Sequence, residues 1–246
     1  LGYPGLEYAH LPLVLGEDKK RLSKRHAATS LNAYKEMGFT KETIINALAL
    51  LGWSTENEIF SIDELIESFK LENVQKAAAV FDLKRFNWVS SQQLARLDEK
   101  GFFEVIKPFM EDEDVNEAFP NYKKILLAMR TSKTNLKDIA HATRPFFFEL
   151  DGYDEKGVKK FLSESLETLT FALEVLSKVA EWNETELDMA LIKVRDYFNL
   201  PIPKVNQPMR IALVGSTVSP SLGLTLELFG KEKSLERIQK AIDFIS

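Results

Sequence analysis

The densest chemistry-bearing run in the 246-residue chain is Glu17-Asp-Lys-Lys-Arg-Leu-Ser-Lys-Arg25, five basic residues in nine, flanked by Gly16 and His26. Lysine and arginine offer charge and several donors to phosphate oxygens, and a serine hydroxyl adds another contact. On charge alone the run also describes a solvated basic loop. Near the other end, Arg210 holds five donors in a planar fork, and Ser219-Pro220 reads as a cap followed by a first-turn proline, with helix amides free to donate. The plainer reading is that Arg210 anchors helix packing and Ser219 only caps. The three histidines, His10, His26 and His141, are widely separated, and the chain has no cysteine. Metal ligation, zinc included, is therefore not expected, and neither is a thiol nucleophile or a disulfide. The acidic residues form no pair with the marks of an acid–base dyad. Trp53, Trp88 and Phe146–Phe148 are of the type that stacks on unpaired bases, but at helical or turn positions the expectation for all of them is core packing.

The elements that must carry these residues read as helices. Thr40 precedes an apolar stripe of Ile44, Ile45, Leu48 and Leu51, closed by Gly52, and Ser61 with Glu64 fits a capping box. Thr134 is placed to cap a short helix through His141. Asp154 opens the longest periodic stretch, from Val158 through Phe161, Leu162, Leu166, Leu169, Leu173 and Leu176 to Val179, and Leu187, Leu191, Val194 and Phe198 form another stripe. Asn206 with Pro208, and Ser219 with Pro220, predict two helix starts that Gly215 and Gly230 close, and a last helix is predicted from about Ser234 to Phe244. Glu111–Asp114 reads as a solvated acidic turn, Arg144-Pro145 as the start of an aromatic block, and Asp151-Gly152 as a turn. Alternating strand patterns are scarce, so the fold class expected is all-α. Boundaries are set near residues 95 and 147, giving segments 1–95, 96–147 and 148–246.

Composition sets outer bounds. With 45% hydrophobic and 28% charged residues, 11 Gly and 9 Pro, the chain is neither disordered nor low-complexity, and it is long enough for one or two cores. No apolar run approaches the roughly 20 residues a membrane helix needs. Leu1-Gly2-Tyr3-Pro4 lacks the basic and hydrophobic regions of a signal peptide, and the absence of an initiating Met suggests a fragment. A cytoplasmic protein with no membrane partner is expected. The net charge of −5 argues mildly against nucleic acid, although local patches rather than the mean decide such binding.

The order Arg21-Leu22-Ser23-Lys24-Arg25 resembles the KMSKS loop of class I aminoacyl-tRNA synthetases, in the KLSKR form common in glutamyl-tRNA synthetases. Its surroundings agree. Tyr8-Ala-His-Leu-Pro-Leu-Val-Leu-Gly16 is similar to the segment leading into that loop. His26-Ala-Ala-Thr-Ser30, Tyr34-Lys-Glu-Met-Gly-Phe39, Leu48-Ala-Leu-Leu-Gly-Trp53, Glu58-Ile-Phe60, Val80-Phe-Asp82 and Gln207-Pro-Met-Arg-Ile-Ala-Leu-Val-Gly215 keep family order, as does Ser219-Pro220. The resemblance implies the C-terminal portion of a bacterial-type glutamyl-tRNA synthetase: a helical stem-contact region, then an α-helical cage around the anticodon. The family's N-terminal Rossmann half, with its HIGH-like motif, would precede Leu1.

By this resemblance Arg21 stands at the first lysine of the motif and Lys24 at the second, which helps stabilise ATP phosphates as glutamyl-adenylate forms. The complete enzyme would use ATP with Mg2+, while this chain alone is expected to hold neither and to be inactive, a monomer whose partners are tRNA and the missing catalytic half. Arg210, Ser219, Pro220 and Leu222 fall where the family contacts anticodon nucleotides. Aligning Ala128-Met-Arg-Thr-Ser-Lys-Thr-Asn-Leu136 puts Ser132 where discriminating members carry an arginine that reads the third anticodon base. A short hydroxyl both donates and accepts, so glutamine tRNA joins glutamate tRNA as an expected partner. The rival reading is a non-catalytic helical scaffold or RNA-binding module derived from the family. A glutaminyl enzyme fits less well, because the bacterial kind carries β-barrel anticodon domains.

Overall fold

A computed structural model describes residues 8–23 and 30–246. The helices are α1 (Leu31–Glu36), α2 (Lys41–Ala49), α3 (Ile62–Ser68), α4 (Leu83–Arg96), α5 (Glu99–Asp112), α6 (Tyr122–Met129), α7 (Leu136–Phe147), α8 (Glu155–Gly157), α9 (Leu166–Ser177), α10 (Glu184–Phe198), α11 (Ile202–Val214), α12 (Leu222–Phe229) and α13 (Lys231–Ile245). Two two-residue strands, β1 (Val14–Leu15) and β2 (Ala79–Val80), pair in parallel. The all-α expectation holds apart from this short ladder, which joins residues too far apart for local pattern to reveal. The chain divides into two compact units, one of residues 1–105 with 134–138, the other of 106–133 with 139–246.

In the first unit the core is aromatic. Tyr34, Phe39, Phe81 and Phe86 cluster, with the Tyr34–Phe86 and Phe39–Phe86 ring centroids 4.9 and 4.7 Å apart. The first pair is tilted and the second edge-to-face, and an edge-to-face pair adds about 0.5–1.5 kcal/mol beyond area burial. Trp53, Phe60 and Leu65 form a second cluster. Behind them lies a fully paired polar knot. Asn46, wholly buried on α2, accepts from the Phe60 amide at 3.0 Å and from Gln93 Nε2 at 2.7 Å, and donates to the Glu58 carbonyl at 3.0 Å. Segment 58–60 is thereby held to α2 and α4. The caps read from sequence are present: Thr40 Oγ1 accepts from the Thr43 amide at 3.2 Å, and Ser61 with Glu64 closes a capping box.

The second unit is a cage of helices. α10 packs on α9 and α12, and α13 on α9 and α11. Their inward faces carry Leu169, Leu176, Leu187, Val194, Met209, Leu226 and Ile238, each wholly buried. Phe146 stacks on Phe229 at 4.7 Å and is core as expected, whereas Phe147 and Phe148 are half-buried. Trp53 is also core, but Trp88 is 44% exposed on the solvent face of α4, against expectation. Gly215 and Gly230, at φ +73° and +77°, end α11 and α12 as read.

Several helix starts and ends differ from the sequence reading. Asn135, not Thr134, caps α7 through its Asp138 amide contact at 2.8 Å, and the helix runs past Arg144-Pro145. Asn206 caps nothing, because α11 begins at Pro201-Ile202-Pro203 and Pro208 lies inside it. Ser221, rather than Ser219, is the N-cap of α12. The last helix starts at Lys231, three residues before Ser234. Interior prolines cost an intrahelical bond, yet Pro108, Pro145 and Pro208 each free a carbonyl of an exposed residue (Glu104, His141, Lys204), where water can satisfy it. The stretch after Asp154 is not one helix but α8, a π-helical segment Val158–Leu162, and α9 after a break at Ser165, whose hydroxyl donates to the Leu162 carbonyl at 2.6 Å. Glu111 and Asp112 finish α5, and Glu113, with its side chain 18% exposed, accepts from Arg144 Nη1 at 2.9 Å, so that acidic run is only partly solvated.

Candidate nucleic-acid interface

The basic run leaves β1 through a tight reversal. Gly16 N donates to the Lys20 carbonyl at 2.8 Å, Lys20 N to Asp18 Oδ1 at 3.0 Å, and Leu22 N back to the Val14 carbonyl at 2.9 Å. Lys19, Lys20 and Arg21 are thereby exposed on one turn. Leu22 points the other way and packs against the aromatic cluster. An apolar anchor between cations fixes where the turn leaves the surface without using any charged group. Ser23 is half-buried, and Lys24 and Arg25 lie outside the described residues. Of the remaining single-residue expectations, His10 is exposed, and His141 is an exposed partner of Glu113, its Nδ1 3.2 Å from Oε1.

In the second unit, α11 exposes Ile202, Pro203 and Lys204 in its first turn and is buried or half-buried from Val205 onward. Its open stripe is Pro203, Asn206, Gln207 and Arg210, positions that share one helical face. Arg210 is half-buried, and desolvation holds its guanidinium below the ordinary arginine value. Its Nε donates to Ser219 Oγ at 3.2 Å, and Ser219 Oγ donates to the Pro220 carbonyl at 3.0 Å, with Thr225 Oγ1 3.1 Å away. Arg210 and Ser219, read separately from the sequence, therefore meet in one hydrogen-bonded group. No other hydrogen bond or ion pair is made by that guanidinium among the described residues, so its outer donors remain to be used. Pro220 is half-buried beside them, but the Leu222 side chain is 3% exposed, so contact there is a matter of backbone rather than side chain.

Two acids missed in the sequence reading shape this group. Asp188 Oδ1 accepts from the Gly223 amide at 3.1 Å, and Glu184 Oε1 accepts from Ser221 Oγ at 2.5 Å. Their i, i+4 spacing on α10 was the available signal. With a carboxylate already at the α12 N-terminus, the positive helix end is neutralised. The site thus favours groups that accept from Arg210 and donate to carboxylates, as nucleobase edges do, over a phosphate. Ser132 lies apart from this group in sequence, just after α6. Its amide donates to the Met129 carbonyl at 2.9 Å, and its Oγ is buried without a partner.

Residues 94–242 match the family described as anticodon binding domain, and residues 1–88 match the catalytic domain of class I tRNA synthetases (E and Q). The chain belongs to the anticodon binding domain family, and it matches a portion of glutamate–tRNA ligases. Among its curated relatives is the glutamate–tRNA ligase of Syntrophotalea carbinolica, 38% identical over 98% of this chain and 53% of its own length. Glutamate–tRNA ligase 1 of Syntrophus aciditrophicus is 36% identical over 100% of this chain and 52% of its length. The crystal structure of a glutamate tRNA ligase from Elizabethkingia meningosepticum, solved in complex with its amino acid, matches all of this chain and 53% of its own with a TM-score of 0.75 at 29% identity. The chain spans about half the length of the relatives it matches. Among the described residues no helix is long and apolar enough to cross a membrane.

Proposed function

We propose that this chain is the loop, stem-contact and anticodon-binding portion of a cytoplasmic, monomeric enzyme that joins glutamate to tRNA at the expense of ATP. The observation that carries this is the order of the two matched families along one chain whose named relatives are glutamate–tRNA ligases. Arg21 and Lys24 bring positive charge to a nucleoside triphosphate, and the exposed donors of Lys19–Arg21 suit such a ligand chemically. Bound ATP supplies the activated phosphoryl centre, and Mg2+ is expected on its phosphates rather than on protein side chains. Lys24 offsets the negative charge that grows on the departing pyrophosphate. Arg210, Ser219, Pro220 and the backbone at Leu222 read anticodon bases. The chain by itself binds tRNA without catalysis, since one loop does not position glutamate and ATP for attack. Two measurements test this. Binding of a glutamate-tRNA transcript should weaken steeply with salt, and pyrophosphate exchange by the isolated chain should stay at background. No binding at low salt would leave the scaffold reading, and exchange above background would end the claim of inactivity.

A finer reading concerns Ser132. Arginine only donates, so it suits the acceptors of cytosine and rejects the donors of guanine, which distinguish the third anticodon bases of the glutamate and glutamine tRNAs. Ser132 has no such bias, and its Oγ has no hydrogen-bond partner among the described residues. The proposed enzyme is therefore non-discriminating. In the complete enzyme the native protein should charge both unmodified transcripts, and Ser132→Arg should lose the glutamine tRNA selectively. Rejection of glutamine tRNA by the native enzyme would refute it.

A further inference from the structure

We propose that the π-helical segment after α8 is a phosphate-binding ridge that grips the RNA backbone beside Arg210, through Lys156, Lys159 and Lys160. The proposal rests on the reading that the chain binds tRNA. It answers a need left by the base-reading group, whose helix N-terminus is taken by Asp188 and whose arginine is steered by Ser219 toward a base edge.

Two anchor points hold the ridge against α11. Asp154 N donates to the Gly215 carbonyl at 2.8 Å, and three residues later Gly157 lies against Ile211. A Cβ on Gly157 would stand 3.0 Å from Ile211 Cδ1 and 3.0 Å from Asp154 Oδ2, the oxygen that accepts from the Gly157 amide at 2.6 Å. The absence of a side chain there is what allows so close an approach. Residues 154 to 157 thus run opposite 215 to 211, antiparallel to α11. Continued for three residues, roughly 4–5 Å of helix rise, the segment brings Lys160 to about the level of Pro208. Ile211 and Arg210 are successive residues, so the face of α11 that carries the ridge is about 100° from the face that carries Arg210. The ridge therefore flanks the open stripe of α11 rather than lying behind it, and exposed Lys204 continues the positive line at the start of that helix.

The charges on this ridge are uncommitted. Lys156, Lys159 and Lys160 are exposed, and none is in an ion pair among the described residues, although Glu155 and Glu164 are close in sequence. By contrast Lys124, Lys178, Lys233 and Lys240 of the same unit are each paired with a glutamate. Lys160 Nζ lies 5.0 Å from the centroid of its neighbour Phe161, which supports the ammonium without neutralising it. Widening to π geometry here places Lys159 and Lys160 outward while Leu162 stays wholly buried. Unpaired lysines on a wall beside a half-buried, base-directed arginine divide the work as nucleic-acid interfaces do, with phosphate contacts that position and base contacts that specify.

The test uses this chain, an unmodified glutamate-tRNA transcript, and a triple variant Lys156→Gln, Lys159→Gln, Lys160→Gln, with the corresponding triple Lys→Arg variant beside it. Each phosphate contact on a single strand contributes about 0.7 to the slope of log K against log salt, so removing three lowers the slope by about 2. Between roughly 50 and 200 mM salt the glutamine variant should then lose about 20-fold less affinity than the native chain, starting from weaker binding. The arginine variant should keep the native slope. Weakening should be the same for transcripts with altered anticodons, because phosphates carry no sequence. Native slope and affinity in the glutamine variant would overturn the ridge and leave tRNA binding standing. A reduced slope in the arginine variant would overturn the charge argument. Failure of the native chain to bind the transcript at all would overturn the tRNA reading, and the ridge with it.

Discussion

Gly38 and Gly52 have nearly the same backbone, φ +86° and +88°, but different surroundings, and the pair measures what close approach adds to strain. Alanine at either position meets the left-handed penalty of about 1–2 kcal/mol. At Gly52 the nearest atom to a new Cβ is Val74 Cγ1 at 3.7 Å, an ordinary contact, so the strain is the whole cost. At Gly38 the Cβ would stand 2.5 Å from the Lys137 backbone nitrogen and 3.0 Å from that of Leu136. A backbone does not swing aside as a side chain does, so residues 136–137 must move. That movement breaks the bond from Leu136 N to the Gly38 carbonyl, 2.9 Å long, and displaces Leu136, which is 3% exposed. The bond is worth about 0.5–1.5 kcal/mol and the repacking about 1–3 kcal/mol. Gly38→Ala should therefore cost roughly 2.5–6.5 kcal/mol against about 1–2 kcal/mol for Gly52→Ala. Urea unfolding of the chain, followed by tryptophan fluorescence in a Trp182→Phe background, reports on Trp53 and Trp88 in the unit that holds both glycines. Unfolding free energies for the two variants that agree within about 0.5 kcal/mol would refute the overlap argument.

Three further outcomes are expected. Asn46→Ala should destabilise by about 1–3 kcal/mol or more, because it leaves the Phe60 amide and Gln93 donors with a lost acceptor in a dry core, and the same urea assay reads it. Glu227 accepts from Lys124 and from the Glu184 amide, which holds its carboxyl below the ordinary value near 4.5. A depressed carboxylate contributes stability above the unfolded value and loses it as pH falls through the folded one, so Glu227→Gln should melt lower at pH 7 and converge on the native protein below about pH 4.5, and a gap that persists in acid would contradict this. In the complete enzyme, Lys24→Ala should lower the adenylation rate by about 10²–10³ with tRNA affinity nearly unchanged, measured by pyrophosphate exchange and equilibrium binding, and an unchanged rate would reduce Lys24 to a solvated charge.

The sequence by itself determined what one turn of chain decides. The Thr40 cap, the Ser61–Glu64 box and the Gly215 and Gly230 endings are closed by bonds within four or five residues, so residue types at fixed spacing suffice. The family was legible from the order of short motifs along the chain, which needs no tertiary contact to be read. Proline punctuation misled, because Pro208 was read as a local start when the burial of Val205, Met209 and Ile211–Val214 around it carries the helix straight through. The periodic stretch after Asp154 broke because Gly157 and Asp154 are pinned to α11, a constraint from more than fifty residues away. The meeting of Arg210 with Ser219, and the occupation of the α12 N-terminus by Asp188, depend likewise on which helix faces which. Spacing along the chain sets short-range bonds, but burial and charge balance are properties of three-dimensional neighbours, and only the tertiary structure decides them.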